Sequence, residues 1–164
     1  MKISIDTDCI ISLFNAHDII YDYMQDINRL FGSGRFTLFV SLKTIDQLLP
    51  RNGESLRYAE ALPKLPNYIV GTIGDQVGTI GSLAGTFGDA KKNEELQHKI
   101  HKLTKKGVDI RDRQIIIDSY LGGMDIFLTN DRDLCSVNSA NRIKEELGLQ
   151  IMSPPSLLSF LARA

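Results

Sequence analysis

The chain has 164 residues, 43% of them hydrophobic and 24% charged, which is enough to bury one core and ordinary for a single globular domain. Nineteen basic side chains against 20 acidic ones leave a net charge of −1, which excludes a global positive field for recruiting nucleic acid, so attraction would have to come from a local basic patch. Cys9 and Cys135 are the only cysteines, no CxxC spacing occurs, and Asp6 and Asp8 interrupt the first apolar run. These features argue against a disulfide framework, a zinc knuckle and a secretory leader. With no stretch of about 18 apolar residues, the expectation is a reduced, cytoplasmic protein without a membrane span.

In chain order, Ile3 and Ile5 open a short strand that ends in Asp6-Thr7-Asp8. Apolar positions at helical spacing follow from Cys9 to Phe31, with a break near Ala16 to Asp18 that predicts two helices. Gly32-Ser33-Gly34 closes the second, and Phe36 to Val40 is rich in strand formers. Ser41 is placed to cap the next helix, whose apolar face is Ile45, Leu48 and Leu49 and whose stop is Pro50. Another short helix is expected over Glu54 to Leu62, then an extended piece through Tyr68, Ile69 and Val70.

Residues 71–89 repeat with a period of seven, as Gly71-Thr72-Ile73-Gly74, Gly78-Thr79-Ile80-Gly81 and Gly85-Thr86-Phe87-Gly88. A heptad would put Ile73, Val77, Ile80, Ala84 and Phe87 on one helical seam beside a glycine-lined one. Each glycine costs a helix interior about 1 kcal/mol relative to alanine, so a low-complexity loop inserted into the domain is the competing expectation. From Asp89, a plausible cap, Leu96, Ile100 and Leu103 form a helical stripe, and Gly107 fits its stop. The lysines at 91, 92, 99, 102, 105 and 106 could follow an RNA backbone or simply form a solvated face, and His98 and His101 are read as surface residues.

Asp112 to Leu121 is a largely buried helix or strand, stopped by Gly122-Gly123. Ile126-Phe127-Leu128 is a strand, Asn138 to Leu147 a helix, Leu149 to Met152 a last strand, and Pro154 starts a terminal helix. Strands alternating with helices predict a parallel α/β sheet. If the strands ending at Asp6 and near Asp131 are neighbours, both acids emerge at the carboxyl edge where open α/β folds bind ligands. A carboxylate there has few structural excuses, whereas Asp8 and Asp112 could cap helices and Asp133 could make a turn. Asp118 lies off the Asp112 face by helical geometry, and Arg111, Arg113 and Arg132 either clamp phosphate or pair with the acids.

Three anchors give the chain a family resemblance: Ile3-Ser4-Ile5-Asp6-Thr7-Asp8, then Asp112 through Thr129-Asn130-Asp131, then Ile151-Met152-Ser153-Pro154 through Leu158. In order and spacing they resemble the PIN-domain nucleases, especially the toxin ribonucleases of toxin–antitoxin pairs (the VapC type). The resemblance implies a PIN-like three-layer α/β/α fold over residues 1–164 with a mostly parallel central sheet, into which the glycine-rich repeat at about 71–89 would be inserted. It further implies hydrolysis of RNA with Mg²⁺ or Mn²⁺, a protein antitoxin and a homodimer.

By position, Asp6, Asp112 and Asp131 inherit the roles of metal-binding and catalytic acids and Thr129 a supporting role, while Arg113 and Arg132, which flank these acids, are the candidate substrate-binding residues. Gln47 stands where the family usually has glutamate, so it could still hydrogen-bond but brings no charge. Asp46 beside it would point about 100° away on a helix. The glycine heptads are absent from the family pattern. Two other readings compete: a non-catalytic PIN-like module that binds RNA or a protein, and a haloacid-dehalogenase-like phosphohydrolase with Asp6 of its D-x-D as nucleophile. Against the latter, Ile10 stands where that family usually has threonine or valine.

Overall fold

Four short strands, β1 (Lys2–Ile5), β2 (Thr37–Val40), β3 (Ile126–Leu128) and β4 (Gln150–Met152), form a wholly parallel sheet in the order β2-β1-β3-β4. The computed structural model describes residues 1–65, 87–104 and 108–163, with 87–93 described by their backbone alone. The heptads through Thr86 and the extended piece at 68–70 lie outside the described residues, as do the side chains of Lys91 and Lys92 and residues 105–107.

Eight helices occur among the described residues: α1 (Thr7–Leu13), α2 (Tyr21–Gly32), α3 (Leu42–Leu48), α4 (Glu54–Ala61), α5 (Phe87–Leu103), α6 (Ile110–Leu121), α7 (Val137–Leu147) and α8 (Pro154–Leu161). None is long and apolar enough to cross a membrane.

Strand alternation produces the layers. Ile3, Ile5, Leu38, Val40, Ile126 and Leu128 face a core shared with Ile10 of α1, Met24 and Ile27 of α2, Leu56 of α4 and Leu157 of α8. Phe127 and Ile151 point the other way, into a second core with Ile100 of α5, Ile115, Ile116 and Ile117 of α6, and Ile143 of α7. Buried on both faces, the strands form the middle of three layers, α/β/α. At the outer edge, Pro63 and Leu65 exchange backbone hydrogen bonds with Val40 (2.9 Å each), covering β2.

Several local expectations change. The first helix is capped by Asp6, whose carboxylate accepts from the Thr7 N–H, and not by Asp8, which is exposed. Asp109 rather than Asp112 caps α6, leaving Asp112 in the first turn, and the ambiguous run 115–117 is helical throughout. α5 starts at Phe87, so Asp89 lies inside it and does not cap it. A cap needs extended backbone before the first helical residue, and periodicity alone does not locate that change.

At the end of α7, Gly148 takes φ +73° and returns its N–H to Lys144 O at 2.8 Å. No atom lies within 4 Å of where a Cβ would stand, so the backbone alone selects glycine. Gly148→Ala is expected to lower stability by about 1 kcal/mol, read as a reduced urea midpoint at unchanged slope.

Candidate active site

β1 runs out to helices leading to β2 on one side, and β3 runs out to a helix leading to β4 on the other, so the chain diverges between β1 and β3. α1 and α7 then lie over opposite faces, leaving a crevice at the carboxyl ends of these two strands, the place where open parallel sheets hold ligands. Ile5 is in register with Leu128, which sets Asp6 beside Thr129. The neighbourhood expected of Asp6 and the strand leading to Asp131 is therefore present.

Asp6 is 5% exposed and fully engaged. Its Oδ1 accepts from Thr7 N at 2.7 Å and its Oδ2 from Thr129 Oγ1 at 2.6 Å. The same Thr129 hydroxyl accepts from Asp131 N at 3.1 Å, so this buried side chain ties the two acids together. Asp131 folds its own loop: Oδ1 accepts from the N–H groups of Asp133 (2.7 Å) and Leu134 (2.9 Å). It is thus Asp131 whose carboxylate closes the turn foreseen at Asp133.

The electrostatics gather the remaining members. Burial pushes the Asp6 carboxyl up to about 7, against the pull of its Thr129 and Thr7 hydrogen bonds, and the charges of Asp112 and Asp8 add to the rise. Asp112, half-buried, is also raised, first by burial and then by Asp109, Asp131 and Asp8, while a hydrogen bond from Gln47 opposes the shift. Carboxyls from β1, α1, α6 and the β3–α7 loop therefore share one field. Asp46 stays outside it, exposed, with Lys43 Nζ at 3.9 Å.

Gln47, in the last turn of α3, is drawn into the site: its carbonyl accepts a hydrogen bond from the Thr7 hydroxyl, and its amide reaches Asp112. Thr7 is a site residue that the sequence reading overlooked; a threonine at the start of a helix signals a cap before it signals a partner for a distant glutamine.

Cys135 lies under the same edge, donating to Thr129 O at 3.4 Å. Burial pushes its thiol up to about 11 and raises the buried Cys9 thiol well above its usual range, so both are protonated thiols at neutral pH and neither is in a disulfide.

The arginines divide. Arg111 Nε lies 3.7 Å from Asp109 Oδ1. The Arg111 N–H holds the Asp109 carboxyl below its usual range, with the charges of Arg111 and Arg113 assisting. Arg113 is half-buried and its Nε has no hydrogen-bond partner among the described residues, while Arg132 is exposed. On the far side of the second core, Lys99 pairs with Glu146 at 2.9 Å, and His98 and His101 are exposed as expected.

Among the described residues, no three His, Cys, Asp or Glu side chains close into a cage for one metal ion. The acidic edge instead offers carboxylates singly or in pairs, hard oxygen donors whose mutual repulsion a cation would relieve. Mg²⁺ and Mn²⁺ are commonly held by one or two carboxylates together with water and substrate phosphate. No family model matches the chain, and no curated protein matches it.

Proposed function

We propose that this chain is a metal-dependent ribonuclease of the PIN type, resembling the toxin members of that family, with Asp6, Asp112 and Asp131 as its acids. One observation supports the reading: acids from three separate stretches of sequence feel one another's charge at the carboxyl edge of β1 and β3, and Asp6, the most buried of them, is held out of its normal ionisation range. Structural carboxylates are ordinarily paired with cations or hydrogen-bonded into lower pKa values, whereas like charges brought together in a crevice mark a site that awaits a counter-charge.

A bound Mg²⁺ or Mn²⁺ would supply an activated water and neutralise charge on the phosphate. The chain's own residues do the rest. Asp6, Asp112 and Asp131 would offer the ion carboxylate oxygens singly or in pairs, with water completing its shell, and Thr129 ties Asp6 to the backbone of Asp131. Gln47 orients Asp112 without adding charge. Arg113 and the exposed Arg132, next in sequence to Asp112 and Asp131, would meet the RNA backbone.

The neutrality of Gln47 favours a second reading, a PIN-like module that binds RNA or a protein without cutting. Titration of Mn²⁺ into metal-free wild type and an Asp6→Asn, Asp131→Asn double variant, with cleavage of a structured RNA followed in the same samples, separates the two. The Asp131→Asn side chain would keep a carbonyl for the N–H groups of Asp133 and Leu134, so the loop should survive. Binding and cleavage are expected in wild type and both are expected to fall to the blank in the variant. Wild type that binds Mn²⁺ but leaves RNA intact would favour the module, with Gln47→Glu expected to tighten the ion. Turnover of an aryl phosphate in place of RNA would favour the phosphohydrolase.

A further inference from the structure

Asp118 plays no part in the chemistry proposed above, yet it is 4% exposed and sits at the centre of a polar chain between helices. Ser41 Oγ donates to its Oδ2 at 2.5 Å and Gln114 Nε2 to its Oδ1 at 3.0 Å. Gln114 Oε1 in turn accepts from Gln97 Nε2 of α5 at 2.7 Å. Both Asp118 oxygens accept, so Gln114 offers its amide and leaves its carbonyl to Gln97, while Ser41, having donated, accepts from Lys43 N at 3.1 Å and caps α3.

Two polar rungs follow from the numbering. Ser41 meets Asp118, and Gln47 meets Asp112, each pair six positions from the other on both segments, so α3 and α6 lie side by side in opposite directions. Between the rungs, Thr44 and Ile115 are fully buried. α3 has only seven residues, so a displacement at its cap is carried to its far end, where Gln47 stands.

We infer that Asp118 is a positioning residue: by holding Ser41 it sets the register of α3 on α6, and so places the Gln47 amide between Thr7 and Asp112 at the acidic edge. As a statement about a nuclease it rests on the reading above; as a statement about where Gln47 sits, it does not.

The test uses ¹⁵N-labelled, metal-free full chain, with the Gln47 side-chain amide signals identified by their loss in Gln47→Glu. In Asp118→Leu and in Ser41→Ala these signals are expected to move toward those of a free glutamine amide. In Asp118→Asn, whose carbonyl still accepts from Ser41, they should stay near wild type. Ile27→Val in the opposite core controls for lowered stability and should leave them in place. RNA cleavage by Ser41→Ala should fall about tenfold to a hundredfold, mainly in kcat. Unmoved Gln47 signals in Ser41→Ala overturn the inference, and that variant decides the matter if Asp118→Leu does not fold. A wild type inactive on RNA overturns the proposed function instead, and leaves the amide signals to judge Asp118.

Discussion

Replacing Asp6 with asparagine is expected to stabilise the metal-free protein at pH 8 while abolishing its response to Mn²⁺. The Asp6 carboxyl, ordinarily at 3.8, is pushed up to about 7 in the folded chain, chiefly by burial. Between these values the unfolded chain has released a proton that the folded chain still holds, so stability falls as pH rises from about 4 to about 7 and levels off above. At about 1.4 kcal/mol per pH unit, this group removes up to about 4 kcal/mol across the window. Asp112 and Asp118, also raised, slope the same way, while the lowered Asp109 opposes them.

Asparagine keeps a carbonyl for Thr7 N and presents an amide to the Thr129 hydroxyl, but the hydroxyl loses its acceptor. After that loss, the net gain at pH 8 should be about 1 to 3 kcal/mol. Thermal or urea unfolding of both proteins from pH 4.5 to 8.5 measures it directly. Parallel profiles would show that Asp6 is not the group responsible. Saturating Mn²⁺ should then raise wild type by about 3 kcal/mol at a hundred times its dissociation constant, and the variant by much less. Equal stabilisation of the two would place the ion elsewhere.

Phe127→Ala should cost about 3 to 5 kcal/mol, a large part of the 5 to 15 kcal/mol typical of a domain. β3 is an interior strand with β1 and β4 on either side, and Phe127 is fully buried against α5, α6 and α7, while its neighbours Ile126 and Leu128 fill the opposite core. Truncation therefore opens a void in the second core without relieving the first. The expected readout is a large drop in urea midpoint, or unfolding at 37 °C. A cost below about 1 kcal/mol would mean that helices do not cover that face of β3 as described.

Much of this molecule was legible before its structure was known. Short β-rich runs ending in aspartate, separated by apolar stretches at helical spacing, require parallel strands with crossover helices, because strand and helix periodicities are local properties of the chain. The approach of Asp6 to the strand before Asp131 depended on those two strands being neighbours, and β1 and β3 are neighbours, with Ile5 opposite Leu128. The supporting place of Thr129 came from the family resemblance alone, and its hydroxyl does donate to Asp6.

Other features depend on groups that no local pattern connects. That Asp6 itself caps α1, that Asp109 displaces Asp112 as a cap, and that Asp131 turns inward to close its own loop were decided by where extended backbone meets helix. Thr7 and Gln47 are separated by 40 positions and Ser41 and Asp118 by 77, yet each pair shares a hydrogen bond. Sequence by itself determined which residue types lie on which face of each element, since side-chain direction repeats along a strand or helix. Only the tertiary structure decided how far each carboxylate is removed from water and what it faces there, because burial and charge coupling are set by elements that meet across the fold.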